Sequence, residues 1–329
     1  MDYKSAGVDI EAGEALVDDI KPYVTATRTP GVLSEIGLFG GLFDARFPGM
    51  EHPVLVASTD GVGTKLNVAI MAGKHDTVGR CLVNHCVNDI LACGARPLFF
   101  LDYFATGRLE RGVARDVIKG VALACQQNGA ALLGGETAEM PSLYKDGDYD
   151  MAGTIVGVVE KSRILNGAHV KPGDVLIGLP STGLHTNGFS LARAALFPSY
   201  RTDQYVDALG TTVGEALLAV HASYLRVIEP LLDAGLISAL SHITGGGIVG
   251  NTSRVLQPGQ ALEVLWGSWN IPEIFRLVQH AGDIADEEMR HVFNLGVGMI
   301  MIVSPERVDE VMRVAHQSAP FIIGHVTTA

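Results

Sequence analysis

Three acidic residues stand beside glycines near the expected ends of strands or helices: Asp60 in STDGVGTKL (58–66), Asp89 in NDILACGARP (88–97) and Glu136 in LLGGETAEMP (132–141). Carboxylates so placed suit Mg2+, which takes few protein ligands and completes its shell with water and substrate phosphate. The first stretch also carries Gly61, Gly63, Thr64 and Lys65, the residue types of a phosphate loop. Its spacing is wrong for a P-loop, because G-x-x-x-x-G-K-[ST] needs four residues between its glycines, whereas Val62 alone separates Gly61 from Gly63 and Thr64 precedes the lysine. Asp60 would repel a bare phosphate, but a bound cation would reverse that charge logic. The plain alternative makes each acid a turn or cap residue and Lys65 a solvated lysine at a strand end.

A second set of groups lies further along the chain. GLHTNGFSL (183–191) places His185 and Asn187 between glycines and just ahead of a helix, where an imidazole could handle a proton or a phosphate or simply cap the helix. SHITGGGIVGN puts Gly245, Gly246 and Gly247 after Thr244. Successive backbone N–H groups running into a helix start would make an anion site. Lys21, in DDIKPYV, has acidic neighbours, so a surface ion pair is its ordinary reading.

Other chemistries lack their templates. A literal G-x-G-x-x-G occurs once, Gly245 to Gly250, with no strand expected ahead of it, and the chain contains no G-x-S-x-G, no H-E-x-x-H and no Cys/His zinc spacing. Trp266, Trp269 and Phe275 read as core or interface aromatics rather than a stacking platform for bases. A net charge of −12 argues against nucleic acid as a partner, while leaving room for a small anionic substrate. Cys81, Cys86, Cys93 and Cys125 have no CxxC spacing and suggest thiols in a reducing compartment. MDYKSAGVDIEAGEAL has no apolar h-region, and the longest apolar run, near LGVGMIMIV, is too short to cross a bilayer. A cytoplasmic protein with no membrane partner is the expectation by elimination.

The elements that must hold these groups follow from periodicity. Strands are expected at PVLVAS (53–58), PLFFLDYFA, AALLGG, AGTIVGVVE, DVLIGL, LGVGMIMIV and FIIGHV. Apolar positions at helical spacing (Val78, Leu82, Cys86, Ile90) predict a helix over 76–93, closed by Gly94. Further helices are expected at RGVARDVIKGVALACQQNG, near 213–234, near 271–282 and at PERVDEVMRVA. The alternation gives an α/β or α+β unit over 1–165 and a second unit over 166–329, each of ordinary domain size.

These stretches also carry a resemblance. YKSAGVDIEAG (3–13), STDGVGTKL, VNDILACGARPLFFLDYFATG, LLGGETAEMP, DYDMAGTIVGVVEK, GLHTNGFSL, ITGGG and FNLGVGMI run in order along nearly the whole chain, and the chain resembles the phosphoribosylformylglycinamidine cyclo-ligase family. The D-x4-G-A-x-P run from Asp89 to Pro97 is shared by a wider superfamily of ATP-dependent enzymes. The resemblance implies an α+β subunit of two domains, the N-terminal sheet forming a barrel-like core across a homodimer and the C-terminal sheet covered by helices. It implies a ligase of purine biosynthesis that uses ATP and Mg2+ to close formylglycinamidine ribonucleotide into 5-aminoimidazole ribonucleotide. On that resemblance Asp60, Asp89 and Glu136 would hold metal, and Asp60, Gly61, Gly63, Thr64 and Lys65 would serve the nucleotide phosphates. Lys21, His185 and Asp89 would be catalytic groups, and Asn187, Thr244, Gly245, Gly246 and Gly247 would hold substrate.

One stretch departs from the family. Members carry Pro-Thr-Arg-Ile-Tyr where this chain reads VHASY, Val220 to Tyr224, so His221 or Arg226 is expected to stand in for the missing arginine. Two alternatives accompany the resemblance. One is another enzyme of the superfamily, such as selenophosphate synthetase, thiamine-monophosphate kinase or the synthetase one step earlier. The first of these would need a cysteine in the N-terminal glycine-rich loop, and 1–30 has none. The other is a silent ATP-binding homologue.

Overall fold

The computed structural model describes residues 7–35 and 37–329. Residues 3–6 of the YKSAGVDIEAG motif lie outside them. The chain separates into two compact units, 1–90 with 96–161, and 91–95 with 162–329.

In the first unit the elements run α1 (Ile10–Thr25), β1 (Pro53–Gly61), α2 (Lys65–Ala72), α3 (Val78–Ala92), β2 (Arg96–Thr106), α4 (Arg111–Gln127), β3 (Ala131–Glu139) and β4 (Tyr149–Glu160). The sheet order is β1-β4-β2-β3. β1 and β2 each pair antiparallel with β4, and β3 runs parallel to β2. The β2-to-β3 crossover is α4, the helix a parallel pair needs. Asp9 caps α1, its side chain accepting from the Ala12 amide at 3.2 Å while its own N–H donates to Glu139 at 2.8 Å.

Side-chain alternation gives this sheet two faces. One turns Phe100 and Phe104 of β2 and Met151 and Ile155 of β4 into the core with Leu82, Cys86 and Ile90 of α3. Gly153 makes that packing possible, since a Cβ there would stand 2.1 Å from the Phe100 ring. The other face leaves Leu55, Leu101 and Tyr103 exposed.

The second unit contains β5 (Val175–Pro180), α5 (Phe189–Leu196), β6 (Tyr205–Val206), β7 (Thr211–Thr212), α6 (Val213–Leu217), α7 (Leu225–Asp233), β8 (Ala239–His242), α8 (Gly247–Thr252), β9 (Gln260–Val264), α9 (Glu273–Gly282), α10 (Asp286–Val292), β10 (Val297–Val303), α11 (Val308–Val314) and β11 (Phe321–Thr328). Five strands form one sheet in the order β8-β10-β5-β11-β9, and every pairing is antiparallel. β10 is buried along its whole length, as the unbroken apolar run VGMIMIV requires of a strand covered on both faces. Ile300, Ile302, Leu176, Ile323 and Trp269 share its core.

The sequence reading missed several elements. LNVAIMA continues from Lys65 as α2, and β8, β9 and α10 are further additions. The single helical stretch expected near 213–234 is two helices, α6 and α7, with the VHASY segment between them. β3 and β4 run past the predicted strands, so Glu136 lies within β3 and not at its end.

Candidate active site

In the first unit a histidine gathers two carboxylates. His85, on α3, is buried and its Nε2 stands 2.8 Å from Oδ2 of Asp60 and 3.8 Å from Oδ2 of Asp89. Asp89 is one helical turn after His85, so both project from the same side of α3. Ser58, two residues before Asp60 on the same strand face, donates its hydroxyl to Asp89 at 2.9 Å. The Gly61 amide donates to Asp60 Oδ1 at 2.7 Å. Partial burial pushes the Asp60 carboxyl up, but the hydrogen bond and charge of His85 and the Gly61 amide outweigh it, and the net position is below the usual carboxylate range despite the opposing charge of Asp89. Asp60 is therefore ionised at neutral pH, as a cation ligand must be.

Glu136 does not join this pair. Asp60 pairs with Gly153, Gly153 with Asp102, and Asp102 with Gly135, forming one row across the sheet. Glu136 belongs to the next row, opposite Tyr103, and adjacent rows point to opposite faces. Its side of the sheet is the exposed one. Asp102 occupies the Asp60 row, and no feature of its sequence neighbourhood singled it out. Burial pushes its carboxyl up to about 7, although the residue as a whole keeps some solvent contact. The carboxylate lies against Gly135, Oδ1 standing 2.1 Å from where a Cβ on that glycine would be.

Lys65 opens α2 and is completely buried, its Nζ 3.3 Å from the Cys81 thiol. This conformation therefore withholds it from solvent, contrary to the alternative of a solvated lysine. Gly63 adopts a left-handed φ of 63° immediately before α2, which glycine takes without a Cβ penalty. Lys21 is exposed on α1 and makes no hydrogen bond or ion pair among the described residues.

The second unit builds its own cluster around GLHTNGFSL and ITGGG. His185 is buried with a φ of 61°, a left-handed conformation uncommon outside glycine and one that marks a constrained site. The Thr182 amide donates to its Nε2 at 3.1 Å, which places the proton of the neutral ring on Nδ1. Gly298 of FNLGVGM leaves the space for this ring, because a Cβ there would lie 2.7 Å from His185 Cε1 and closer still to the Tyr224 hydroxyl. Asn294 of the same motif holds the loop, its Nδ2 donating to Gly183 at 2.9 Å.

Asn187 lies over the glycine run, its Oδ1 3.4 Å from the position a Gly245 Cβ would take. Its Nδ2 is buried and has no hydrogen-bond partner among the described residues, a donor whose desolvation a ligand oxygen would offset. The run itself is tied to Asn251 of α8, whose Nδ2 reaches the carbonyls of Thr244, Gly245 and Gly247 at 3.2, 3.3 and 2.8 Å. Gly246 and Gly247 have φ of 99° and 66°, and a Cβ on Gly247 would collide with the Arg290 carbonyl. Chain geometry thus requires these two glycines, while Gly245 is exposed and backbone-accessible. His221 is buried against His185, whereas Arg226 is exposed. His221 was named as a stand-in for the family arginine, whereas His85 and His242 stand at these clusters without having been singled out. The one sequence signal for either was the H-x-x-x-D spacing of His85 and Asp89.

Comparison with known proteins gives a consistent picture. Residues 46–159 match the family described as AIR synthase related protein, N-terminal domain, and residues 171–329 match its C-terminal domain. The chain is 48% identical over 329 residues to the phosphoribosylformylglycinamidine cyclo-ligase of Bifidobacterium animalis subsp. lactis, covering 98% of this chain and 96% of that protein. It is 52% identical over 315 residues to the protein of the same name from Myxococcus xanthus, covering 95% and 91% of the two chains. Among solved structures, hydrogenase maturation protein HypE in complex with ATP superposes with a TM-score of 0.70 at 21% identity, covering 96% of this chain and 87% of that one. That last likeness is one of fold.

Proposed function

The chain belongs to the phosphoribosylformylglycinamidine cyclo-ligase family, and on that premise we propose that it closes formylglycinamidine ribonucleotide to 5-aminoimidazole ribonucleotide with consumption of ATP. The observation that carries this reading is identity near one half, sustained over 95% and more of the chain, to proteins of that name. The amide oxygen of the substrate is a poor leaving group. Transfer of the γ-phosphoryl of ATP to that oxygen makes it a good one, the amidine nitrogen attacks the same carbon, and phosphate leaves as the ring closes with loss of a proton. Positioning and charge stabilisation are the protein's share of such chemistry.

Asp60 and Asp89 fit Mg2+, being paired carboxylates on one face with Asp60 held ionised. When bound there, the ion would neutralise charge on the phosphoryl oxygens. Glu136 was placed in the metal set by its glycine-flanked position and by resemblance, and Lys21 in the catalytic set by resemblance, and nothing in the geometry joins them to this pair. The Gly61–Thr64 backbone and Lys65 are assigned to the nucleotide phosphates. For Lys65 that role needs its buried ammonium to be uncovered. His185 is assigned a catalytic role, and Asn187, with Thr244 and the glycines after it, is assigned to the substrate; the Asn187 amide, unsatisfied among the described residues, is the strongest support for that contact.

The domain roles are 1–165 for ATP binding and dimerisation, with 166–329 as the C-terminal domain. A homodimer is supported by the apolar outer face of the β1-β4-β2-β3 sheet. A reducing, cytoplasmic setting is supported by the four free cysteines. No described helix is long and apolar enough to cross a membrane.

The test is a coupled assay with ATP, Mg2+ and formylglycinamidine ribonucleotide. The expected outcome is one ADP and one phosphate per aminoimidazole product. Absence of substrate-dependent ADP release rejects the assignment.

A further inference from the structure

The VHASY segment places a third imidazole against the second-unit cluster. His221 is fully buried between two other histidines. Its ring lies on the face of His185, with centroids 3.9 Å apart and planes inclined by 19°. Its Nε2 is 3.1 Å from Nε2 of His242, and its Nδ1 is 3.4 Å from the hydroxyl of Thr186. Two of these neighbours belong to GLHTNGFSL, and the third directly precedes ITGGG.

A neutral imidazole has one N–H and one lone pair, so the Nε2 contact must hold a single proton between two nitrogens. In one arrangement His221 donates to His242, and its Nδ1 accepts from Thr186. In the other His242 donates, and His221 Nδ1–H points at the Thr186 oxygen. The tautomer of His242 and the direction of the Thr186 hydroxyl are thus decided together, at one ring. The stacked face of the same ring fixes the plane of His185, whose own tautomer is set by the Thr182 amide.

We propose that His221 is a positioning residue for the cyclisation, holding His242 in one tautomer and His185 in one plane beside the substrate groups of this unit. The kinetic part of this inference rests on the cyclo-ligase reading, but the spectroscopic part does not. In metal sites the group that orients a ligating imidazole by hydrogen bonding is worth about tenfold to a hundredfold in activity, and a loss of that order is expected here.

The experiment compares wild type, His221→Phe and His221→Gln. Phenylalanine keeps a ring to stack on His185 but has no nitrogen, whereas the glutamine amide can still give or accept a hydrogen bond. The expected result for H221F is an unchanged KM, a kcat lower by about tenfold to a hundredfold and a thermal midpoint close to that of wild type. H221Q should recover a large part of the lost kcat. An H221F turnover within about twofold of wild type overturns the proposal, and so does an equal loss in both variants, which would make shape and not the nitrogens the cause. Imidazole 15N spectra of the wild-type protein decide the matter should H221F fail to fold. One protonated and one unprotonated Nε2 across the His221–His242 contact supports the proposal, and two of the same kind overturns it. If wild type itself releases no ADP with substrate, the cyclo-ligase reading fails, while the spectra still judge the tautomer claim.

Discussion

At the scale of single residues, the first-unit site turns on which carboxylates share a face. Asp60→Asn keeps the shape and can still accept from His85, but removes the charge that a cation needs. Turnover is expected to fall at least about a hundredfold with little change in the unfolding midpoint. Near-normal turnover would remove Asp60 from the metal and phosphate roles. Asp102 makes a different prediction. Burial raises its carboxyl from 3.8 to about 7, so between those limits the native protein holds a proton that the unfolded chain has released. Stability from this group therefore falls as pH rises from about 4 to about 7 and is level above that. Its titratable neighbour Cys125 on α4 has a thiol that burial pushes up, so it stays neutral throughout. In denaturant titrations, Asp102→Asn should gain on wild type steadily from pH 5 to 7, with a constant difference beyond. A difference that does not vary with pH would place the Asp102 carboxyl in its ordinary range. Asp60 and Asp89 could be picked from sequence because glycine and turn chemistry flank them. Glu136 looked equivalent, but one residue along a strand reverses the face, and no local pattern shows where the sheet register falls.

At the scale of elements, helices and strands were legible where their periodicity ran long. α3, α4 and β1 came within a few residues of their observed limits, because each has a continuous apolar stripe or alternation and a glycine or proline stop. The short helices α2 and α10 and the short strand β8 were not legible, since too few turns or alternations distinguish them from loops. The three-histidine cluster was legible only in part: His185 and His221 drew notice singly, but only the β5–β10–β8 pairing brings them together with His242. The α3–α4 contact shows what spacing alone cannot. Gly79 of α3 faces the backbone of α4, where an added Cβ would stand 2.2 Å from the Val117 carbonyl oxygen. Gly120 of α4 returns the contact, its Cβ position lying 2.8 Å from the Asp76 oxygen. Two backbones approach through paired glycines, and α3 carries His85 and Asp89. Gly79→Ala would ordinarily favour a helix, yet here the collision is with backbone. The net expectation is a loss of about 1–3 kcal/mol in unfolding free energy, with a parallel loss of turnover as α3 shifts. A neutral or stabilising G79A, measured by urea unfolding, would show that the helices separate without cost.

At the scale of the whole molecule, the outer face of the first sheet is the feature that a single chain leaves unexplained. Leu101 sits in a row with Thr154 and Thr59, and Tyr103 sits beside Glu136 two rows on. Leu55 is 63% exposed, Leu101 39% and Tyr103 38%, so an aliphatic and aromatic patch lies open across a twisted sheet. Contiguous patches of this kind mark interfaces, and a two-fold pairing of identical sheets would bury the patch against its own copy. Glu136 would then lie at that junction, which gives its position on this face a meaning that a site within one chain does not. The resemblance implied a homodimer through this sheet, but periodicity did not mark the patch, because Leu55, Leu101 and Tyr103 read as ordinary strand residues until the inner face is seen to be filled by α3 and α4. Leu101→Glu with Leu55→Glu places two charges on the patch and touches neither the Asp60–His85–Asp89 cluster nor the histidine stack. Sedimentation velocity should show a dimer for wild type and a monomer for the double variant, with the thermal midpoint lowered by the loss of association. Turnover separates the remaining possibilities. A monomer that retains full activity makes the interface purely structural, whereas a monomer that loses activity but binds substrate with unchanged affinity means that the nucleotide side of the site is completed across it. A wild type that sediments as a monomer at the concentrations of the assay would reject the pairing of these sheets altogether.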